Sequence, residues 1–272
     1  MPSAFFKKPY LDPKIRLDQF LVERKDFDVL SKAQSAIMAG LVYVNGQKTD
    51  KPGTLVKDRE RDKIEVKNDA CPYVSRGGLK LEGAIKKLTI NNEQLTIKDK
   101  ICLDVGASTG GFTDFLLQNK AKKVYAVDVG YGLVDWKIRQ DPRVVVIERT
   151  NARYLTKESL IPRYSDILEP IELCVMDVSF ISILKILPAL KQVLSPSAEI
   201  IVLVKPQFEA KKEQVEKGGL VKDPKVHAEV MEKIKKGARD QGFEVKGICD
   251  SPIKGADGNK EFFMLILFSG VS

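Results

Sequence analysis

With 272 residues, 43% hydrophobic and 30% charged, the chain has the length and balance of a soluble protein with one large domain and a smaller one. Its net charge of +8 leans toward polyanionic partners, and residues 1–80 hold 16 Lys and Arg against 11 Asp and Glu, which concentrates the excess at the front. Four scattered cysteines without a C-x-x-C pair, one isolated histidine (His227) and no long apolar run argue against zinc binding, His-based nucleophilic catalysis, a signal peptide and a membrane span; they predict a cytoplasmic protein with reduced thiols.

Residues 1–69 read as a small α+β unit with its core over 14–67. Ile15, Leu17, Phe20, Leu21 and Val22 supply the apolar side of a short helix. Ser31 and Gln34 have the S-x-x-Q form of a capping box for a second helix, which Ala33, Ala36, Ile37 and Met38 fill and Gly40 stops. Leu41 to Lys48 reads as strand, Asn45-Gly46 turn and return strand, and a Pro52-Gly53 turn followed by residues 62–66 completes the unit. The alternating charges of 57–63 predict an exposed turn rather than a phosphate track. Pro72, Gly77 and Gly78 mark a linker over 70–82 that runs into a helix carrying Leu81, Ala84, Ile85 and Leu88.

Over 83–272, strands and helices alternate from Lys100 onward, the pattern of a doubly wound parallel sheet. Seven strands are expected, at 101–105, 123–129, 144–147, 172–178, 199–204, 243–249 and 261–268. The last two leave no room for a helix and predict an antiparallel hairpin at the sheet edge. That is a Rossmann-like α/β sheet of the kind common among S-adenosylmethionine (SAM)-dependent methyltransferases, not the usual dehydrogenase topology. Asp223 as N-cap and Pro224 at the first helical position open a scaffolding helix that ends near Asp240, with Val226, Val230 and Ile234 on its buried face. Before it, Lys205–Glu209 and Lys217–Lys222 form a long loop at a strand's carboxyl end, a common place for function, and its lysines could face RNA.

The chemistry is anchored on Ile101 to Phe112, where an apolar run breaks into small residues and resumes as an amphipathic segment: strand, tight turn, helix. Such a turn lets a ligand approach the backbone, and helix-opening N–H groups favour hydrogen-bond acceptors. The spacing departs from G-x-G-x-x-G, since Ser108 stands at the second glycine place and Gly110 and Gly111 are adjacent, so the turn alone predicts only a nucleotide-like ligand. Ligands of open α/β sheets bind outside the strands' carboxyl ends. There stand Asp128, placed to accept ribose hydroxyls, Asn151 and Ala152, placed to flank an adenine, then Asp177 and Lys205.

Two resemblances sharpen this. Arg16-Leu17-Asp18, Ser31-Lys32-Ala33 and Gly40 to Gly46 resemble the small RNA-binding domain of ribosomal protein S-four, which implies that Arg16, Lys32 and Lys48 lie along folded RNA. Asp104-Val105-Gly106-Ala107-Ser108-Thr109-Gly110-Gly111-Phe112 resembles the SAM turn of FtsJ-like ribose 2′-O-methyltransferases, and with Ser75-Arg76-Gly77-Gly78-Leu79-Lys80-Leu81 ahead of it the whole chain resembles the TlyA family. Those are bacterial rRNA cytidine-2′-O-methyltransferases, often labelled hemolysins. The resemblance implies SAM as cofactor, held by Asp104, Gly106 to Phe112, Asp128, Asn151, Ala152 and Asp177. It implies a catalytic set of Lys80, Asp177, Lys205 and Glu261, with Lys205 the candidate base, no metal, Arg76 among the RNA contacts, and ribosomal RNA or ribosomal subunits as partner. Where family members can carry R-x-W-V in the linker, this chain has Cys71-Pro72-Tyr73-Val74. A non-catalytic RNA-binding or ribosome-assembly factor that keeps the fold is the alternative, and a membrane-active hemolysin, which the label alone suggests, ranks below both.

Overall fold

The computed structural model describes residues 14–38, 40–57, 63–66, 71–88, 95–161, 169–255, 258–268 and 270. The chain falls into two compact units that meet between Cys71 and Pro72. Residues 58–62 of the alternating-charge stretch and Ala70 at the expected boundary lie outside the described residues.

In the first unit, β1 (Lys14–Arg16) pairs antiparallel with β4 (Leu55–Lys57), and β2 (Val42–Val44) is paired antiparallel to both β3 (Gln47–Thr49) and β5 (Ile64–Val66). Asn45 and Gly46 turn β2 into β3 with φ of 53° and 78°, the left-handed pair that a two-residue hairpin needs. Helices α1 (Leu17–Glu23) and α2 (Leu30–Met38) bury Leu17, Phe20, Leu21, Ala33 and Ile37 together with Val42, Val56 and Ile64.

Two details depart from the sequence expectation. Ile15 belongs to β1, opposite Val56, and not to the first helix. Ser31 is inside α2 rather than at its cap, because Gln34 is engaged elsewhere: its Nε2 donates to Asp18 Oδ2 at 2.9 Å. Asp18 is fully buried and also receives Arg16 through Nε at 3.0 Å and Nη2 at 2.6 Å. This bidentate pair, helped by Gln34, holds the Asp18 carboxyl down at about 2.

The second unit is a seven-stranded sheet covered on both faces. It contains α3 (Arg76–Leu88), β6 (Ile101–Val105), α4 (Gly111–Gln118), β7 (Lys123–Val127), α5 (Trp136–Arg139), β8 (Val144–Ile147), α6 (Lys157–Leu160) and β9 (Ile171–Met176). Then come α7 (Leu187–Leu190), β10 (Leu194–Val204), α8 (Pro206–Glu209), α9 (Pro224–Asp240), β11 (Phe243–Asp250) and β12 (Phe262–Phe268). The strand order is β11-β12-β10-β9-β6-β7-β8; β12 runs antiparallel between β10 and β11, and the pairs from β10 to β8 are parallel. Strand order reverses between β6 and β9, which makes that gap the ligand crevice.

The helix of the expected linker begins at Arg76, so residues 76–82 are already α3, packed on α4 and β11. Gly78 allows this start, because a Cβ there would lie 2.2 Å from the Tyr73 ring. Lys205–Glu209 is not all loop: Pro206, at the first helical position, opens the single turn α8. His227 lies on α9 and is buried, with Nε2 2.8 Å from Val221 O. Among the described residues, no helix is long and apolar enough to cross a membrane.

Candidate active site

The site grows from the carboxyl end of β6. Gly106 (φ 83°) turns the chain so tightly that a Cβ would sit 2.3 Å from Asp177 O, and its N–H donates to Val127 O at 2.8 Å. The turn is thereby pinned to the ends of β7 and β9, and only glycine fits. Ser108 follows with φ 50°, and its N–H donates to Asp128 Oδ2 at 2.7 Å, while Asp128 Oδ1 accepts from Gly130 N at 2.7 Å. Asp128, expected to meet ribose hydroxyls, thus also fastens the turn to the loop after β7.

Beneath the turn lies Asp104, fully buried. Thr113 Oγ1 donates to its Oδ2 at 2.6 Å, and Oδ1 has no hydrogen-bond partner among the described residues. Burial, and next the charges of Asp177 and Asp128, push its carboxyl up to about 7 against the pull of Thr113.

Gly106, Ser108, Asp128, Asn151, Ala152 and Asp177 line one cavity of about 450 Å³, together with Val129, Leu133, Ser179 and Phe180. The remaining turn residues do not line it. Gly111 and Phe112 face inward: a Cβ on Gly111 would meet Ser75 Oγ at 2.2 Å, and Phe112 packs on Phe263 at 6.2 Å between ring centroids. Gly111 therefore serves the contact between the starts of α3 and α4, whereas a Cβ on Gly110 would lie 3.2 Å from Ile138 of α5. A larger cavity of about 580 Å³ opens at the opposite rim, by the strands' amino ends. Its lysines are paired, Lys100 with Glu199 at 2.6 Å and Lys122 with Glu169 at 2.8 Å, and its Glu172 accepts from Ile101 N at 3.1 Å.

Sheet register assembles the expected catalytic set. Val204 of β10 is opposite Phe262 of β12, so Lys205 and Glu261 leave their strands side by side, and Asp177 follows Met176 at the end of neighbouring β9. The four groups form two ion pairs: Lys80 Nζ to Glu261 Oε2 at 2.6 Å, with the carboxylate buried, and Lys205 Nζ to Asp177 Oδ1 at 2.6 Å. Lys205 Nζ also donates to Ser179 Oγ at 2.9 Å. Gly255 closes over Glu261, since a Cβ there would stand 2.4 Å from Oε1.

Sequence reasoning passed over three contributors: Thr113 under the turn, Ser179 on Lys205, and Phe180. Phe180 has φ 64°, is 89% exposed and lies 4.8 Å from the Phe208 ring, which Lys205 Nζ overlies at 5.9 Å. A bulky residue held in the left-handed region and in solvent is the signal that marks it, and it shows only in the backbone.

Of the residues expected to contact RNA, Arg16, Lys32 and Lys48 belong to the first unit and Arg76 to the second. Arg16 is spent on Asp18, exposed Lys32 pairs loosely with Asp28 at 3.4 Å, and the Lys48 stem lies across Gly40, where a Cβ would be 1.8 Å from its Cε. Arg76 donates to Lys254 O at 3.2 Å. The buried thiols are inert, Cys102 being pushed up to about 12 by burial.

Comparison with known proteins agrees with both units. Residues 73–268 match the FtsJ-like methyltransferase family and residues 15–62 the S4 domain. The chain is 49% identical over 257 residues to YqxC, a provisionally named rRNA methyltransferase of Bacillus subtilis, covering 94% of this chain and 87% of that one. It is 41% identical over 251 residues to the 16S/23S rRNA (cytidine-2′-O)-methyltransferase TlyA of Mycobacterium tuberculosis, covering 92% and 89%. A solved structure of a hemolysin-labelled protein from Streptococcus thermophilus superposes with a TM-score of 0.71 at 42% identity, covering 94% of this chain and 89% of that one.

Proposed function

The chain belongs to the TlyA/FtsJ-like rRNA methyltransferase family, and from that premise we propose that it methylates the ribose 2′-oxygen of a cytidine in ribosomal RNA, with SAM as donor. The observation that carries the reading is the convergence of Lys80, Asp177, Lys205 and Glu261 on one sheet rim beside the cavity.

The cavity residues fit a cationic nucleoside cofactor. Asp128 and Asp177 line the cavity, and their charges raise the proton affinity of Asp104, buried under the turn. A sulfonium or ammonium group relieves such crowding. Gly106, Ser108 and Asp177 would hold the methionine end, with Asp128, Asn151 and Ala152 toward the nucleoside. When bound, SAM supplies an electrophilic methyl group on a sulfonium.

The protein's own residues then prepare the acceptor. A ribose hydroxyl is a weak nucleophile near neutral pH and must lose its proton as the new oxygen–carbon bond forms. Lys205 Nζ, fixed by Asp177 and Ser179, is the base placed to take it. Lys80, held by Glu261, supplies the second positive charge at the rim, which favours an alkoxide-like oxygen. Beyond that, catalysis is alignment of oxygen, methyl and sulfur in one line. Phe180 and Phe208 offer an aromatic face on which an unstacked base can rest. The first unit, of S4 type, anchors the RNA. Incubation of the full chain with ribosomal subunits and methyl-labelled SAM tests the proposal: label is expected on cytidine 2′-oxygens, and label confined to bases contradicts it.

A further inference from the structure

Among the described residues of the second unit, every large hydrophobic side chain that is exposed belongs to the cavity lining or to the two segments beside it. Val129, Leu133 and Phe180 line the cavity; Tyr131 (68% exposed), Trp136 (72%) and Tyr154 (68%) stand in the two chain segments that carry the lining residues Asp128, Val129 and Leu133, and Thr150 to Ala152. A lone exposed ring needs no explanation, but a cluster on one face marks an interaction site.

The face is built rather than loose. The loop after β7 and the segment after β8 are laced together by Asp128 N to Ile147 O, Arg149 N to Gly130 O and Thr150 N to Asp128 O, each 3.0 Å, and by Gly132 N to Glu148 Oε1 at 2.8 Å. Arg149, held at φ 55°, places its guanidinium 4.2 Å from the centroid of Tyr131, and Arg153 stands 5.6 Å from that of Tyr154. Glu148 lies near Arg149 but is already bonded to Arg139 and the Gly132 amide. Aromatic rings interleaved with arginines that keep donors free are the chemistry of unpaired nucleobases on a phosphate backbone. An apolar protein partner would leave both guanidinium groups to be desolvated without a counter-charge.

We propose that this rim of Tyr131, Trp136, Arg149, Arg153 and Tyr154 grips a single-stranded RNA segment flanking the modified nucleotide, by stacking and phosphate contact. The inference rests on the methyltransferase reading for its choice of RNA, but binding at this rim needs no turnover.

Trp136 is the only tryptophan in the chain, so its emission reports on this face directly. The full chain is titrated with an unstructured oligoribonucleotide, a duplex RNA and heparin, with anisotropy of labelled ligands read in parallel. Quenching is expected with the single strand, much less with the duplex, whose bases are already stacked, and none with heparin, which has no bases. The Lys205→Ala variant should quench as the native chain does. Tyr131→Ala and Arg153→Ala should each weaken the single strand about tenfold and leave binding of SAM unchanged. Equal quenching by heparin, or single-strand binding without quenching, overturns the proposal. So does self-association that shields Trp136 while RNA has no effect. If ribosomal subunits go unmethylated while single-strand quenching persists, the methyltransferase reading fails and this surface stands.

Discussion

Replacing Asp104 by Asn should stabilise the second unit, increasingly so as the pH rises. The carboxyl is fully buried and raised from an ordinary value near 3.8 to about 7, first by burial and then by the charges of Asp177 and Asp128. A raised carboxyl favours the protonated form in the folded state, so folding loses stability as pH climbs from about 4 to about 7 and does not regain it above. At about 1.4 kcal/mol per unit the full penalty is about 4 kcal/mol, of which about 2 kcal/mol is already present at pH 5.5. Asn is nearly isosteric, keeps an oxygen to accept from Thr113 Oγ1 and carries no charge. The advantage of Asp104→Asn over the native chain should therefore grow by about 2 kcal/mol between pH 5.5 and pH 8. Urea unfolding followed by labelling of Cys102 and Cys174 with a disulfide reagent reads the second unit alone, because both buried thiols belong to its sheet. A difference that stays flat with pH would refute the argument. The same variant should bind SAM more weakly, since a cationic ligand is what offsets the crowded carboxylates.

Three further outcomes follow from the geometry. Lys205→Ala and Lys80→Ala should each lower methylation about 100-fold or more while ribosome binding by filter retention is kept. Gly106→Ala forces a Cβ to within 2.3 Å of Asp177 O at φ 83° and should abolish SAM binding by calorimetry, with a lower melting temperature. Gly111→Ala collides with Ser75 Oγ and shifts the start of α3, which carries Lys80; methylation should fall more than SAM affinity, and Gly111→Ser should be no better.

Much of this architecture was legible in the sequence because its signals are local. Apolar runs bounded by turn residues gave the seven strands of the large sheet, and Asp223-Pro224 gave α9 its start, with the Asp223 carboxylate accepting from Lys225 N at 2.8 Å. The Asn45-Gly46 hairpin likewise depends only on two residues that tolerate positive φ. What escaped depends on contacts distant in the chain. Gln34 has the spacing of a capping residue, but Asp18, sixteen positions earlier, holds its amide. Gly111 looked like part of a cofactor cradle, whereas its missing Cβ makes room for Ser75. Strand ends point to Asp177 and Lys205, but Lys80 and Glu261 join the proposed catalytic set only through the resemblance, since register across β10 and β12 is what sets Glu261 beside Lys205. No spacing within the sequence encodes that adjacency.

The central claim is tested most directly by mapping the label after full-length protein, ribosomal subunits and methyl-labelled SAM have reacted. Digestion of the rRNA to nucleosides followed by mass spectrometry should place the label on 2′-O-methylcytidine, and the Lys205→Ala variant should leave that nucleoside unlabelled. Label on a base, or on 2′-O-methylcytidine to the same extent with Lys205→Ala, would contradict the account.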